Sequence, residues 1–177
     1  MILSSHTGNY EIAGYTLSAR LKRLNALVYS GEAITIMQNR KKELEKNNIA
    51  MIPVSDDMSH LFMMNNALDN GEILSIPADR ILGSPRYLKC DFMGAKAKFP
   101  LGPFALAVQR GLPVLAVQVM KDSVKRYRII IAEIAPSSDA VKPKDKMQSL
   151  AQAYARNLEA TLKRYPHQWF NYYDFWK

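Results

Sequence analysis

The sequence lacks the residues that several functional classes require. It has a single cysteine, Cys90, so it contains neither an internal disulfide nor a Cys-x-x-Cys motif. Its three histidines, His6, His60 and His167, do not have the spacing of zinc ligands. A Gly-x-Ser-x-Gly elbow, a glycine-rich phosphate loop and a dinucleotide fingerprint are also absent. The sequence therefore implies no metal, redox or nucleotide cofactor.

Long hydrophobic runs are absent as well. The longest nearly apolar segment, residues 112–120, contains Gln118 and is much shorter than the ~20 residues of a transmembrane helix. The first residues do not form a basic region followed by an apolar stretch and a cleavage site, so no secretory signal is recognised.

Acidic side chains are few relative to basic ones. The chain has 24 Lys and Arg against 16 Asp and Glu, which gives a net charge of +8. A basic surface favours an acidic partner, such as a nucleic acid, an anionic membrane or an acidic protein. Since no nucleic-acid recognition motif accompanies the charge, we expect no nucleic-acid partner.

The order of the periodic segments predicts the fold class. At 177 residues we expect one domain, 1–177, which can bury roughly 70% of its unfolded surface. Strands are predicted at 1–3, 27–29, 49–54, 72–77, 87–92, 95–99, 112–120 and 127–134, and helices at 10–24, 33–47, 58–69, 104–110 and 145–164. Strands alternating with helices predict an α/β fold with a mostly parallel sheet flanked by helices. The last two strands read as an antiparallel hairpin, which makes the sheet mixed.

The stretch Ser-Ser-His-Thr-Gly-Asn-Tyr-Glu at 4–11 carries the main catalytic candidates. His6 falls in a turn after the first strand, and Glu11 falls in the first turn of the next helix. A carboxylate beside an imidazole fixes its tautomer and stabilises its protonated form, as in a general-base pair. The alternative is a chance pair of surface side chains.

A second candidate pair, Asp79 and Arg80, follows the strand at 72–77. Ligands of α/β sheets bind beyond the carboxyl ends of strands, so this pair and His6 could line one crevice. Arg80 could grip a phosphate or carboxylate with two hydrogen bonds, and Asp79 could orient Arg80 or His6. The alternative is a structural ion pair.

The segment Phe-Pro-Leu-Gly-Pro at 99–103 is a loop that opens the helix predicted at 104–110, and Pro103 suits the first helical position. Backbone N–H groups at a helix start can bind an anion, and Lys96 and Lys98 would add positive charge. A structural turn is the alternative.

Three other features have structural interpretations. The helix at 58–69 is apolar on most sides, which is typical of a core helix, although its methionines could also adapt to acyl chains. The aromatic tail at 165–177 fits a cap over the core or a belt at a membrane interface. Cys90 reads as a packed thiol.

Taken in order, the motifs resemble those of one family. They are His6 with Glu11, Gly71-Glu72, Pro77-Ala78-Asp79-Arg80, the segment 99–103 and Pro166-His167-Gln168-Trp169. The chain resembles the bacterial lipid A biosynthesis acyltransferases, a branch of the lysophospholipid acyltransferase superfamily, from about residue 2 to residue 176.

The resemblance implies the glycerolipid acyltransferase fold and a reaction. An acyl group would move from an acyl thioester, either acyl-acyl carrier protein or acyl-CoA, to a hydroxyl or amine of a lipid or glycolipid such as lipid A. His6 would be the base and Glu11 its partner. The residues expected to bind substrate are Glu72, Asp79, Arg80, Lys98, Phe99, Gly102 and Pro103.

The resemblance also implies a location at the cytoplasmic face of the bacterial inner membrane, with an anionic membrane surface as a partner. Family members normally carry an N-terminal region before the histidine motif, so we expect 1–177 to be the C-terminal part of a longer architecture. The alternative function is a non-catalytic module that binds lipid or acyl carrier protein. The sequence indicates no oligomeric state.

Overall fold

The computed structural model describes residues 1–9, 21–29, 44–81, 85–172 and 174–176. Most of the helices predicted at 10–24 and 33–47 therefore lie outside the described residues, and so does Glu11.

The described residues contain eight strands, three complete α-helices, the helical residues 44–46 and one short 3₁₀ turn. The strands are β1 Ile2–Ser4, β2 Leu24–Tyr29, β3 Ile49–Val54, β4 Ile73–Pro77, β5 Tyr87–Phe92, β6 Ala95–Pro100, β7 Val114–Ser123 and β8 Arg126–Ile134. The helices are α1 Ser59–Asp69, α2 Leu101–Gln109 and α3 Pro143–Arg164, followed by the 3₁₀ turn Pro166–Gln168.

Six of the strands form one mixed sheet in the order β3-β2-β4-β1-β7-β8, and β5 and β6 form a separate hairpin. β2 pairs in parallel with β3 and β4, whereas β7 and β8 are antiparallel. The predicted fold class, a mostly parallel mixed sheet with helices, is confirmed. By internal contacts the chain separates into two compact units, so the expectation of a single domain stays a prediction.

The first unit contains Leu3–Tyr10 and Pro77–Lys177. Its core forms around β7 because this strand is almost continuously apolar, and residues 116–120 are all buried. Helix α3 presents buried side chains at spacings of three and four, the period of an amphipathic helix. These are Leu150, Ala151, Tyr154, Ala155, Leu158, Thr161 and Leu162. An aromatic cluster completes the core and comprises Phe92, Phe99, Phe104, Tyr154, Trp169 and Phe175.

The second unit contains residues 11–76, with β2, β3, β4 and α1 among its described residues. Helix α1 ends close to the predicted residue, but the expectation that it is a core helix is wrong. Met64 and Ala67 are buried, whereas Leu61, Phe62 and Met63 are exposed. A helix that packs on one side buries only that face, whatever residues occupy the other side.

Helix α2 begins at Leu101, three residues before the predicted start. Pro103 therefore lies within the first turn. Since the first N–H groups of a helix have no partner inside it, proline is tolerated there without loss of a helical hydrogen bond. Strand β2 begins at Leu24, before the predicted start at residue 27. The N–H of Leu24 donates to the carbonyl of Asn48 at 3.2 Å, and this hydrogen bond extends the strand.

Candidate active site

The residues just after β1 and β4 are held side by side by hydrogen bonds at the ends of these strands. The carbonyl of Ser4 accepts from the N–H of Ala78 at 3.0 Å and from the hydroxyl of the buried Tyr154 at 2.7 Å. His6 follows Ser4 by two residues and Asp79 follows Ala78 directly. These backbone positions bring His6 and Asp79 next to each other, and the expectation that they line one crevice stays a prediction.

His6 and Asp79 are joined by two hydrogen bonds. His6 Nδ1 lies 2.8 Å from Asp79 Oδ1, and the backbone N–H of His6 donates to Asp79 Oδ2 at 2.9 Å. A carboxylate at Nδ1 favours the imidazole tautomer that carries its proton on Nδ1 and its lone pair on Nε2. The His6 side chain is 18% exposed, so the ring is partly accessible to a substrate.

A third group, the indole of Trp169, also binds Asp79. Its Nε1–H donates to Asp79 Oδ2 at 3.1 Å. Asp79 is 0% exposed, and a buried carboxylate is costly unless hydrogen bonds replace its hydration. The donors from His6 and Trp169 meet this requirement and fix the carboxylate's orientation.

Trp169 belongs to a C-terminal segment, 168–170, that pairs with the His6 loop, residues 6–9. The N–H of Phe170 donates to the carbonyl of His6 at 2.9 Å, and the N–H of Gly8 donates to the carbonyl of Gln168 at 2.7 Å. Thr7 and Trp169 form an antiparallel bridge between these bonds. Sequence reasoning included Trp169 in a motif but assigned it no role at the site.

The other side of the His6 loop is attached to β7. The N–H of Asn9 donates to the carbonyl of Val119 at 2.8 Å. Gly8 has φ +55, and a Cβ at this position would lie 2.0 Å from the carbonyl oxygen of Val119. Glycine at this turn, which the sequence predicted, is thus required both by backbone conformation and by space.

Arg80 contacts the same segment. Its guanidinium donates to the carbonyl of Phe170, while its Nε is buried without a hydrogen-bond partner among the described residues. Arg80 thus lies at the junction of the His6 loop and the C-terminal segment. Its role as a substrate ligand stays a prediction.

Two of the predicted acidic residues lie elsewhere. Glu11 is outside the described residues, so its pairing with His6 stays a prediction. Glu72 lies in the second unit, where its carboxylate accepts a hydrogen bond from the side chain of the buried Asn25 at 2.8 Å. This bond gives Glu72 a structural partner, and its predicted contact with substrate stays a prediction.

The predicted substrate-binding segment 98–103 lies at the β6–α2 junction. Phe99 is 0% exposed within the aromatic cluster, Pro103 is buried, and the ammonium of Lys98 lies 5.2 Å from the ring centre of Tyr87. The N–H of Leu101 donates to the carbonyl of Arg86 at 3.1 Å. Because Pro103 has no N–H, Gly102 is the remaining donor of the first three helical positions, which leaves little basis for anion binding there.

In the described part of the chain, no group of three His, Cys, Asp or Glu side chains is arranged to hold a metal ion. None of the helices found there combines the length and the hydrophobicity needed to cross a bilayer.

The arrangement provides a histidine oriented by a buried carboxylate at the end of a strand. Such a pair can take a proton from a hydroxyl or amine and return it to a leaving group. Among curated proteins, none matches this sequence. The family model of bacterial lipid A biosynthesis acyltransferases matches residues 1–177, the whole length of the chain. The chain therefore belongs to the bacterial lipid A biosynthesis acyltransferase family.

Proposed function

We propose that this protein transfers an acyl group from an acyl thioester to a hydroxyl, or less favourably an amine, of a lipid or glycolipid such as lipid A. Acyl-acyl carrier protein or acyl-CoA is the donor. The family supplies the reaction class. The observation that carries the proposal is the 2.8 Å hydrogen bond between His6 Nδ1 and Asp79.

His6 acts as the general base in this mechanism. Its Nε2 takes the proton of the acceptor hydroxyl while the oxygen attacks the thioester carbonyl. The tetrahedral intermediate then expels the thiolate, which receives the proton from the imidazolium. An ester bond replaces the thioester bond, and no acyl-enzyme forms. A positioned base of this kind contributes typically 10²–10⁴-fold to the rate.

Asp79 holds the imidazole in place and stabilises its protonated form. Since Nδ1 is hydrogen-bonded to Asp79, Nε2 is the basic nitrogen. Glu11 is proposed as a second carboxylate for His6, and Arg80 as a donor to the developing oxyanion.

We place the protein at the anionic cytoplasmic face of the bacterial inner membrane. The net charge of +8 supports attraction to anionic lipids. Helix α1 and the residue before it expose Met58, Leu61, Phe62 and Met63, which could enter the interfacial region of a bilayer.

Transfer of labelled acyl chains from acyl-acyl carrier protein into total lipid extract tests the function. The folded wild type should yield labelled lipid, and His6→Ala and Asp79→Asn should each lower the rate by about 10²–10⁴-fold. His167→Ala is the matched control because His167 is exposed on the 3₁₀ turn, and its rate should equal that of the wild type.

The other outcomes separate the alternatives. Undiminished transfer by folded His6→Ala would remove His6 as the base. Binding of acyl-acyl carrier protein by a wild type that transfers nothing would indicate the non-catalytic module. A lower rate of acyl transfer in Glu11→Gln, together with an unchanged rate in Asp79→Asn, would assign the orienting role to Glu11.

A further inference from the structure

A cavity of about 460 Å³ borders the His6 loop within the first unit. This volume lies in the usual range of ligand pockets, about 300–1,000 Å³. Residues that line it include Gly8, Asn9, Lys121, Ser123, Tyr127 and Phe170. The first two follow His6 directly in the loop, and Phe170 is hydrogen-bonded to the His6 carbonyl.

The cavity has a positive character. Its one lining carboxylate among the described residues, Asp122, accepts hydrogen bonds from Arg128 at 2.7 and 2.9 Å and from the Tyr165 hydroxyl at 2.6 Å. The bonds from Arg128 and then Tyr165 lower the pKa of Asp122, so it is ionised and balanced by Arg128. Lys121 has no ion-pair partner among the described residues and remains as the uncompensated charge.

The backbone beneath this lysine is fixed. The side-chain amide of Gln168 donates to the carbonyl of Lys121 and accepts from its N–H, both at 2.8 Å. The side-chain amide of Gln168 thus makes the two hydrogen bonds that a neighbouring strand would make at the end of β7. The backbone carbonyl of Gln168 also accepts a hydrogen bond from the N–H of Gly8. A fixed backbone lowers the entropy that is lost when a ligand binds.

We propose that this cavity binds a phosphate group of a substrate, with the ammonium of Lys121 and the hydroxyls of Ser123 and Tyr127 as donors. A phosphate offers several acceptor oxygens to one cation and two hydroxyls, and hydrogen bonds to charged groups are stronger than neutral ones. The assignment rests on the proposed function. The phosphate comes either from the headgroup of the acceptor lipid or from the phosphopantetheine arm of the thioester donor.

Titrations followed by backbone amide NMR on the 177-residue protein test the site without turnover. The probes are a hexosamine 1-phosphate, the unphosphorylated hexosamine and 4′-phosphopantetheine. One phosphorylated probe should bind about tenfold or more tightly than the plain sugar, with the largest shifts at Gly8, Lys121 and Ser123. Lys121→Gln should abolish this selectivity.

Lys125→Gln is the matched control. It removes the same charge from the turn between β7 and β8, outside the cavity lining, so the selectivity should remain. Equal weakening of binding by both variants would mean general electrostatic attraction and would overturn the site, and so would equal binding of the plain sugar and of both phosphorylated probes.

Kinetics of acyl transfer then identify the source of the phosphate. An increase of about tenfold in the acceptor KM of Lys121→Gln assigns it to the acceptor, and the same increase in the donor KM assigns it to the donor. Selective binding by a protein that transfers nothing would refute the proposed function and leave the phosphate site intact. Normal transfer without phosphate selectivity would refute the site alone.

Discussion

Replacing Trp169 by Phe tests whether the C-terminal segment 168–170 supports the candidate base. The change removes the Nε1–H that binds Asp79 at 3.1 Å but keeps an aromatic ring against Phe92 and Phe175, whose ring centres lie 5.5 and 4.9 Å from that of Trp169. Asp79 would then retain the two hydrogen bonds from His6 and lose the third.

The expected fall in kcat follows from the kind of hydrogen bond that is lost. A hydrogen bond to a charged group is worth about 1.5–3 kcal/mol. If the whole loss appears in the transition state, kcat falls about 10- to 150-fold, since each 1.36 kcal/mol corresponds to a factor of ten. The KM values should change little, because Trp169 acts on Asp79 and has no proposed contact with substrate.

Trp176→Phe is the matched control. The indole N–H of Trp176 donates to the carbonyl of Phe92 at 3.4 Å, and its ring packs against those of Phe92 and Trp169, so the variant makes the same truncation without touching Asp79. Acyl transfer and urea unfolding should be measured on both variants. Equal kcat values for the two would refute the proposal that Trp169 positions Asp79.

Two further predictions concern stability. Gly8→Ala should lower the free energy of unfolding by at least about 2 kcal/mol, because the new Cβ meets the Val119 carbonyl oxygen and φ is +55. Gly94→Ala also has positive φ but open space, so in urea titrations it should lose only about 1 kcal/mol, and equal losses would contradict the predicted clash. Burial raises the pKa of Cys90 from 9.0 to about 11, so the thiol ionises at a lower pH in the unfolded protein than in the folded protein. The wild type should therefore lose about 2 kcal/mol more stability than Cys90→Ala between pH 9 and pH 11, and parallel pH profiles would refute the shift.

Local patterns in the sequence predicted most of the described elements. The strands at 49–54 and 87–92 agree with β3 and β5 residue for residue, and α3 begins within two residues of its predicted start and ends where predicted. These elements have clear apolar periodicity and turn residues at their ends, and both signals depend only on neighbours along the chain. The start of α2 was wrong because proline is compatible with any position of the first turn.

Local sequence patterns predicted less well which side chains are buried. Helix α1 looks like a core helix in sequence, yet one face is covered and Phe62 is 80% exposed. Which face is covered depends on the strands beside it, and composition alone does not record that choice.

The sequence by itself determined the fold class, the family resemblance, and His6 and Asp79 as candidates at strand ends. Only the tertiary structure decided that Asp79 contacts His6, since 73 residues separate them, and that Trp169, 90 residues beyond Asp79, donates to the same carboxylate. Periodicity encodes contacts a few residues apart, whereas these bonds depend on the order of strands in the sheet and on the return of the chain's end to the His6 loop.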